Sequence, residues 1–465
     1  MTSPANGESG RYPIPAAAWK ILLLGFLIRE GFSFWTGHPY DLDSWIRTGY
    51  AVAHGTNPYL AFWPAVPGIS VGFLNQTLPS ASYLPFWPAM LGGLYRTWEA
   101  VGGGDRFVLY WLIKQPPIIA DILTAYLLFQ LVRRWTGSVT SAVVALTYWS
   151  LFPYAILITG VWGQFDSLVV AILLAILYVR GLPSRNLLIG LGIFVKWLTA
   201  IFLPLEVFRE RGLRRLGFLL ALALPFVLTL AVFVGLGWSF EGIQATAGSQ
   251  THGGGGGMNY AFALSFGPLP AILFAVPWFY LVVVYLWVPA VVLGGWLAAR
   301  WLRSTDPRTE LRAMMFVTSL FLLLRWGLYE QYMLYIFSLL VLDIVAFHPD
   351  RRAFFRLTYV LASAYLIANN TLGIWFLSPL NSGFETYVAG VDSAPVTGPI
   401  RAYSLLVLSL LMTVTLIQLV YLLFRDEARP RLWPWWLFGR LLRRRSAEPI
   451  SRALHDPSAD PNLAR

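Results

Sequence analysis

Apolar residues in this chain are gathered into blocks of about 18 to 25, the length an α-helix needs to cross ~30 Å of hydrocarbon at 1.5 Å per residue. The blocks cover residues 16–36, 83–101, 107–131, 139–158, 167–180, 187–207, 216–237, 270–300, 311–328, 332–347, 355–377 and 401–424. They lack the polar face that a soluble amphipathic helix or half-buried strand would show. Across 465 residues the apolar fraction is 57% and the charged fraction 12%, about half the charge of an ordinary soluble domain. These features predict an all-α polytopic membrane protein with about ten to thirteen membrane-crossing or re-entrant helices. A water-soluble α/β enzyme is excluded.

The net charge of +11 comes from Arg and Lys clusters at 133–134, 180–185, 209–215, 300–312, 351–356 and 425–445. Basic loops stay in the cytoplasm, so these define the inner side, and the excess charge does not imply nucleic acid. The segments 36–82, 238–260 and 378–399 hold few basic residues and belong outside. Block 187–207 is basic on both flanks, which one crossing does not produce. With Gly190, Gly192, Lys196 and Pro204 inside it, the block reads as re-entrant or broken. There are no cysteines, which removes disulfides, thiolate metal sites and cysteine nucleophiles. Residues 1–15 read as a disordered N-terminus without a cleaved signal, and 16–424 as the membrane domain. Residues 425–465 read as a basic cytoplasmic tail, in which Trp433, Trp435 and Trp436 among arginines fit an interfacial helix.

The first outer loop is the most informative segment. It runs Gly37-His-Pro-Tyr-Asp41-Leu-Asp43-Ser-Trp45 and later Thr56-Asn57-Pro58-Tyr59. Residues 43–53 predict a short helix ending at His54–Gly55, with Gly as its C-terminal cap. Carboxylates at a membrane surface can take a proton from an acceptor hydroxyl, or hold a divalent cation such as Mg or Mn that neutralises a leaving phosphate. Asp43 as a plain helix N-cap is the competing reading.

Ionisable residues inside the blocks are costly in hydrocarbon and by default mark function with a partner. Those singled out are Arg29, Glu30, Lys114, Asp121, Lys196, Arg325 and Asp343 within blocks, and Asp166 and Glu330 at block edges. Asp166, in Trp162-Gly163-Gln164-Phe165-Asp166, either caps the next helix or serves a site. Lys196 lies too deep to snorkel, so it is expected to meet an anion. Arg325 and Glu330 either pair between helices or, with Gln331, line a pocket. Outer carboxylates with deep cations would serve an anionic lipid phosphate plus a proton-abstracting base, or a transporter of an anion.

In order along the chain, Asp41-x-Asp43 with Gly55-x-x-Pro58-Tyr59, the Lys114-to-Asp121 helix, the Trp162-to-Asp166 turn, Lys196 before Leu203-Pro204, and Glu330-Gln331-Tyr332 resemble the GT-C superfamily of polytopic glycosyltransferases. The likeness is to the polyprenyl- or dolichyl-phosphate-sugar-dependent mannosyltransferases, the catalytic subunit of GPI mannosyltransferase I and its prokaryotic relatives, over about residues 16–350. The resemblance implies a GT-C-like bundle whose long first outer loop carries short interfacial helices. It implies inverting transfer of a hexose, mannose in that family's terms, on the outer or lumenal face, to a glycolipid, glycan or protein acceptor. It makes Asp41 the catalytic base and Asp43 the second acid. Lys196 and Arg325 are then phosphate-binding candidates, Glu330 and Gln331 shape the donor pocket, and Gln164, Asp166, Lys114 and Asp121 support it. It leaves room for an accessory membrane subunit, and for the plasma membrane or endoplasmic reticulum according to source. Residues 248–260, with His252 and five glycines, read as a mobile lid. The competing function is a secondary transporter or flippase for an anionic or lipid-linked substrate, which requires two related halves with paired broken helices.

Overall fold

A computed structural model describes residues 12–60, 63–71, 78, 83–179, 181–241, 257–267, 269–270, 275–302 and 306–426. The first eleven residues, His252 with the glycine run up to 256, and the tail from 427 lie outside the described residues. Regular structure among the described residues is helical apart from one isolated bridge, Trp63 with Leu78. The protein is an all-α polytopic membrane protein.

The helices are α1 (Ala16–Ser33), α2 (Pro39–Ala53), α3 (Phe86–Ala100), α4 (Arg106–Thr136), α5 (Val139–Ser150), α6 (Pro153–Trp162), α7 (Asp166–Tyr178), α8 (Leu182–Val195) and α9 (Leu203–Arg209). They continue as α10 (Phe218–Leu236), α11 (Tyr260–Leu264), α12 (Pro277–Tyr285), α13 (Trp287–Ala299), α14 (Pro307–Leu324), α15 (Met333–Ala346), α16 (Arg352–Asn369), α17 (Gly383–Ser393) and α18 (Thr397–Arg425). Local chemistry sets several boundaries. Asp105 caps α4 by accepting from the Phe107 amide, Ser138 caps α5 through the Ser141 amide, and Asp306 caps α14 ahead of Pro307. Among the described residues three helices are long and apolar enough to cross a membrane alone, and three bent pairs raise that number to six. One bent pair is α5 with α6, at 42°.

Contacts at the helix ends sort the bundle into two ends. At one, Arg134 donates to the Tyr178 carbonyl (2.6 Å), Arg209 meets Glu310 (3.2 Å), Arg308 meets Asp426 (3.3 Å), Arg312 donates to the Leu423 carbonyl (2.6 Å) and Asp343 meets Arg351 (3.0 Å). This basic end gathers the clusters that the sequence places in the cytoplasm. At the other, the Gly37 amide donates to the Phe376 carbonyl (2.9 Å), Asn57 to the Ser239 carbonyl (2.9 Å), and the Met258 amide to the Leu328 carbonyl (2.9 Å). The three segments expected outside all contribute to, or border, this second end.

One sequence expectation changes and another is narrowed. Block 83–101 is no separate crossing. Its helix α3 lies on α2, with Arg96 donating to the Ala53 carbonyl (3.0 Å) and Tyr50 packed edge-on to Tyr95, because residues such as Arg96 and Glu99 suit an interfacial layer. Block 187–207 is re-entrant: α8 enters from the basic end and α9 returns to it, so Arg185 at its start pairs with Glu206 at its close (2.6 Å). The turn is at Lys196, where the backbone becomes extended. A Cβ on Gly192 would lie 2.5 Å from Thr199 Cγ2, so glycine lets the two limbs close.

Candidate active site

The helix expected at 43–53 starts four residues earlier, at Pro39, which occupies the first helical position where its missing N–H costs nothing. It ends as read, at His54 with Gly55 at φ +74. Both aspartates are therefore inside α2, and residues two apart on a helix point about 200° away from one another. Asp41 turns toward the bundle and Asp43 away from it.

Asp41 Oδ2 accepts from the indole Nε1 of Trp162 (2.7 Å) and from Nε2 of Gln164 (2.7 Å), with His38 Nδ1 at 3.6 Å. These contacts all fall on Oδ2 among the described residues, and the carboxylate keeps 17% of its surface open. Asp43 is fully closed off: Arg47 one turn on grips Oδ2, and the Val71 amide approaches Oδ1 at 3.3 Å. Arg47 also donates to the Trp63 carbonyl at 2.7 Å, so this pair staples the outer loop to α2. Burial pushes the Asp43 carboxyl up, against the pull of Arg47. Asp43 is thus neither an N-cap nor a second open acid. The two aspartates do not fit a shared divalent cation, and no step is derived through one. No group of three or more His, Cys, Asp or Glu suited to a metal occurs among the described residues.

Lys114 explains how Asp41 meets its donors. Its ammonium is buried and donates to the carbonyls of Thr36 (2.6 Å), Val161 (2.9 Å) and Gly160 (3.1 Å). One cation thereby ties the end of α1, just ahead of α2, to the turn that carries Trp162 and Gln164. That turn is a wide π-helical coil over Leu157–Trp162, closed by Gly163 at φ +92. A Cβ on Gly163 would sit 2.9 Å from Lys114 Cγ, so glycine serves both the turn and the passing lysine. Lys114 supports the site through backbone and does not touch Asp41 by side chain.

His38 roofs this arrangement. Its ring stacks on Trp162 at 4.9 Å and meets Trp375 at 4.6 Å. Burial lowers its pKa below 6.5, although Asp41 pulls the other way, so the imidazole beside Asp41 is uncharged at neutral pH. On the other flank lies Tyr83, whose hydroxyl is pushed up first by burial and then by the charges of Asp41 and, more weakly, Asp166. The Lys196 ammonium lies 5.9 Å from the Tyr83 ring, which sets Tyr83 beside the re-entrant tip.

At that tip Lys196 is not a bare cation. It meets both oxygens of Asp166 at 2.9 Å, and Tyr335 donates its hydroxyl to the same carboxylate. The anion that Lys196 was expected to meet is therefore Asp166, which opens α7 without capping it. The ammonium also lies 5.0 Å from the ring of Tyr332, and the Arg325 guanidinium is 5.4 Å from that same ring and 4.8 Å from Trp197. Glu330 does not bond Arg325 in a simple interhelical pair. Its carboxylate accepts from Asn369 (2.6 Å), its carbonyl accepts from Tyr154 (2.8 Å), and burial pushes its carboxyl up to about 7 with the Asp41 charge adding to the rise. Gln331 is buried, and its Oε1 has no hydrogen-bond donor among the described residues.

Asp121 belongs elsewhere. It accepts from Arg29 Nε (2.6 Å), Trp149 (2.7 Å) and Thr159 (3.2 Å) in the packed centre of the bundle. Its place in the motif set reflects the core and not the site. The residues that sequence reasoning passed over are His38, Tyr83, Tyr335, Asn369 and Trp375. His38, the N-cap of α2 three positions before Asp41, carried a signal; the others reach the site only through tertiary packing.

Residues 107–325 match the family model described as glycosyltransferase family 87. The matched span includes Lys114, Gln164, Asp166, Lys196 and Arg325 and begins after Asp41. No curated protein matches the chain.

Proposed function

Taking as premise that residues 107–325 make this chain a member of glycosyltransferase family 87, a GT-C-type family of membrane glycosyltransferases, we propose that it transfers a hexose, mannose first among candidates, from a polyprenyl- or dolichyl-phosphate carrier to an acceptor hydroxyl with inversion. The observation that carries this reading is Asp41: a carboxylate fixed at one oxygen by two N–H donors, partly open, at the end opposite the basic clusters.

In this mechanism the acceptor hydroxyl gives its proton to Asp41 Oδ1 as its oxygen attacks the anomeric carbon. The bond from that carbon to the phosphate oxygen breaks on the opposite face, and its electron pair leaves with the lipid phosphate. Trp162 and Gln164 keep the carboxylate from rotating, which maintains near-attack geometry. The uncharged His38 offers no competing proton at neutral pH. Arg325 and Lys196, on the shared ring of Tyr332, face the leaving phosphate, with Lys196 partly neutralised by Asp166. Gln331 offers a buried acceptor for a sugar hydroxyl. The carrier chain lies between helices in the bilayer. The transporter alternative rests on anion-binding charges that the family and the ion pairs described above account for.

The test is purified protein in lipid nanodiscs, supplied with a panel of lipid-phosphate sugars and assayed for released lipid phosphate. Release from one donor, abolished by Asp41→Asn, is the expected result. Undiminished release by that variant overturns the assignment of the base.

A further inference from the structure

The bend between α5 and α6 does more than aim Trp162. Leu151 and Pro153 break the helix, and the break opens a cavity of about 430 Å³ between α5 and α16. Its walls are Tyr148 and Phe152 on one side and Phe355 and Tyr359 on the other, with Thr147 and Arg356 also lining it. The rings pack against each other, Phe152 with Tyr359 at 5.0 Å and Phe152 with Phe355 at 5.8 Å, so the walls are set in place by neighbouring core residues. The groove lies toward the basic end: Phe355 and Arg356 stand in the first two turns of α16, which begins next to the Arg351–Asp343 pair.

Arg356 sits at the mouth, about one turn into α16 from Arg351. Arg351 is buried against Asp343, which also receives His348. Arg356 is exposed, and among the described residues no carboxylate pairs with it. An arginine within a helix turn of the membrane boundary sends its head to the interface. It then lies level with phosphates of the adjoining leaflet, while the groove below it is lined mainly by apolar and aromatic side chains.

We propose that this groove is a binding site for an anionic phospholipid of the leaflet at the basic end, with the phosphate on Arg356 and one acyl chain laid along Tyr148, Phe152 and Tyr359. Charge complementarity decides the occupant: an apolar groove alone takes any chain, whereas a cation at its mouth selects a net-negative headgroup. The site is at the opposite end of the bundle from Asp41 and stands whether or not the transferase reading does.

The full chain is purified from nanodiscs of phosphatidylglycerol and phosphatidylcholine in equal amounts, and retained phospholipids are quantified by mass spectrometry. Arg356→Gln is expected to lower retained phosphatidylglycerol by about fivefold, the worth of one interfacial arginine, without lowering phosphatidylcholine. Leu151→Trp fills the groove and leaves the charge, and is expected to lower it as well. Arg425→Gln, an exposed arginine that ends α18 at the basic end and does not line the groove, is the control and should change it little. Equal losses from Arg425→Gln and Arg356→Gln, or full retention by either Arg356→Gln or Leu151→Trp, overturns the proposal. Monodisperse elution of each variant separates a lost site from a lost fold.

Discussion

At the re-entrant tip Asp166 faces the ammonium of Lys196 on both oxygens and the hydroxyl of Tyr335; Asp41 accepts from the uncharged N–H groups of Trp162 and Gln164. Asp121 with Arg29, and Asp43 with Arg47, repeat the first pattern. The difference separates carboxylates that hold the fold from one that keeps its charge for something else. A buried carboxylate gripped by a cation has its lone pairs committed, and breaking the pair leaves a bare charge in a low-dielectric interior. A carboxylate oriented by neutral donors is fixed in place while its negative charge stays uncompensated. Two other buried or half-buried acids share that second pattern among the described residues: Glu30 accepts from Trp111 Nε1 (2.6 Å) and Gln115 Nε2 (3.1 Å), and Glu330 from Asn369 Nδ2 (2.6 Å).

The largest break in the comparison comes from Asp41→Asn, which should lower lipid-phosphate release by about 10²–10⁴-fold, the usual worth of a general base, with the melting temperature in detergent nearly unchanged. Asp166→Asn should do the reverse. It leaves Lys196 without its anion, at a cost of about 3–5 kcal/mol, which thermal unfolding in detergent will read as a large drop in midpoint. A large loss of stability in Asp41→Asn, with none in Asp166→Asn, would reverse the two roles.

Gln164→Ala removes one of the two donors on Oδ2. A hydrogen bond to a charged group contributes about 1.5–3 kcal/mol, so transfer should fall about 10- to 100-fold with donor binding retained, as a split between kcat and KM will show. A smaller effect on proton balance is expected at Glu330, in the connection between α14 and α15. Its carboxyl is raised to about 7 from 4.5, so the folded state holds the proton more tightly than the unfolded chain. That contribution to stability is full below pH 4.5 and is lost as pH rises through 7. Glu330→Gln should therefore flatten the decline in melting temperature between pH 5 and pH 8. An unchanged slope would show that the decline has another source. The smallest effect belongs to Glu30→Gln, which should alter transfer by less than about twofold, since hydrogen-bond pairing alone does not place Glu30 beside Tyr83 and Tyr332. A loss comparable to that of Asp41→Asn would mean that neutral coordination, and not position, marks the functional acid.

Some of this was legible in the chain. Block length against bilayer thickness is a local property, and so is the collection of Arg and Lys at alternate block ends; together they specify an all-α membrane bundle and which loops share an end. The basic flanks on both sides of 187–207 announced the re-entrant hairpin, and the Arg185–Glu206 pair is its closure. Asp41, too, stood out as a carboxylate at the outer boundary. Which charges would find each other was not legible, because Arg29 reaches Asp121 across 92 positions, Lys196 reaches Asp166 across 30, and Asp41 meets Trp162 and Gln164 across 121 and 123. Hydrophobic length is summed along the chain and survives in any arrangement of the helices. The difference between a committed and an available carboxylate depends on distances of about 3 Å between segments, and only packing of the whole bundle decides those.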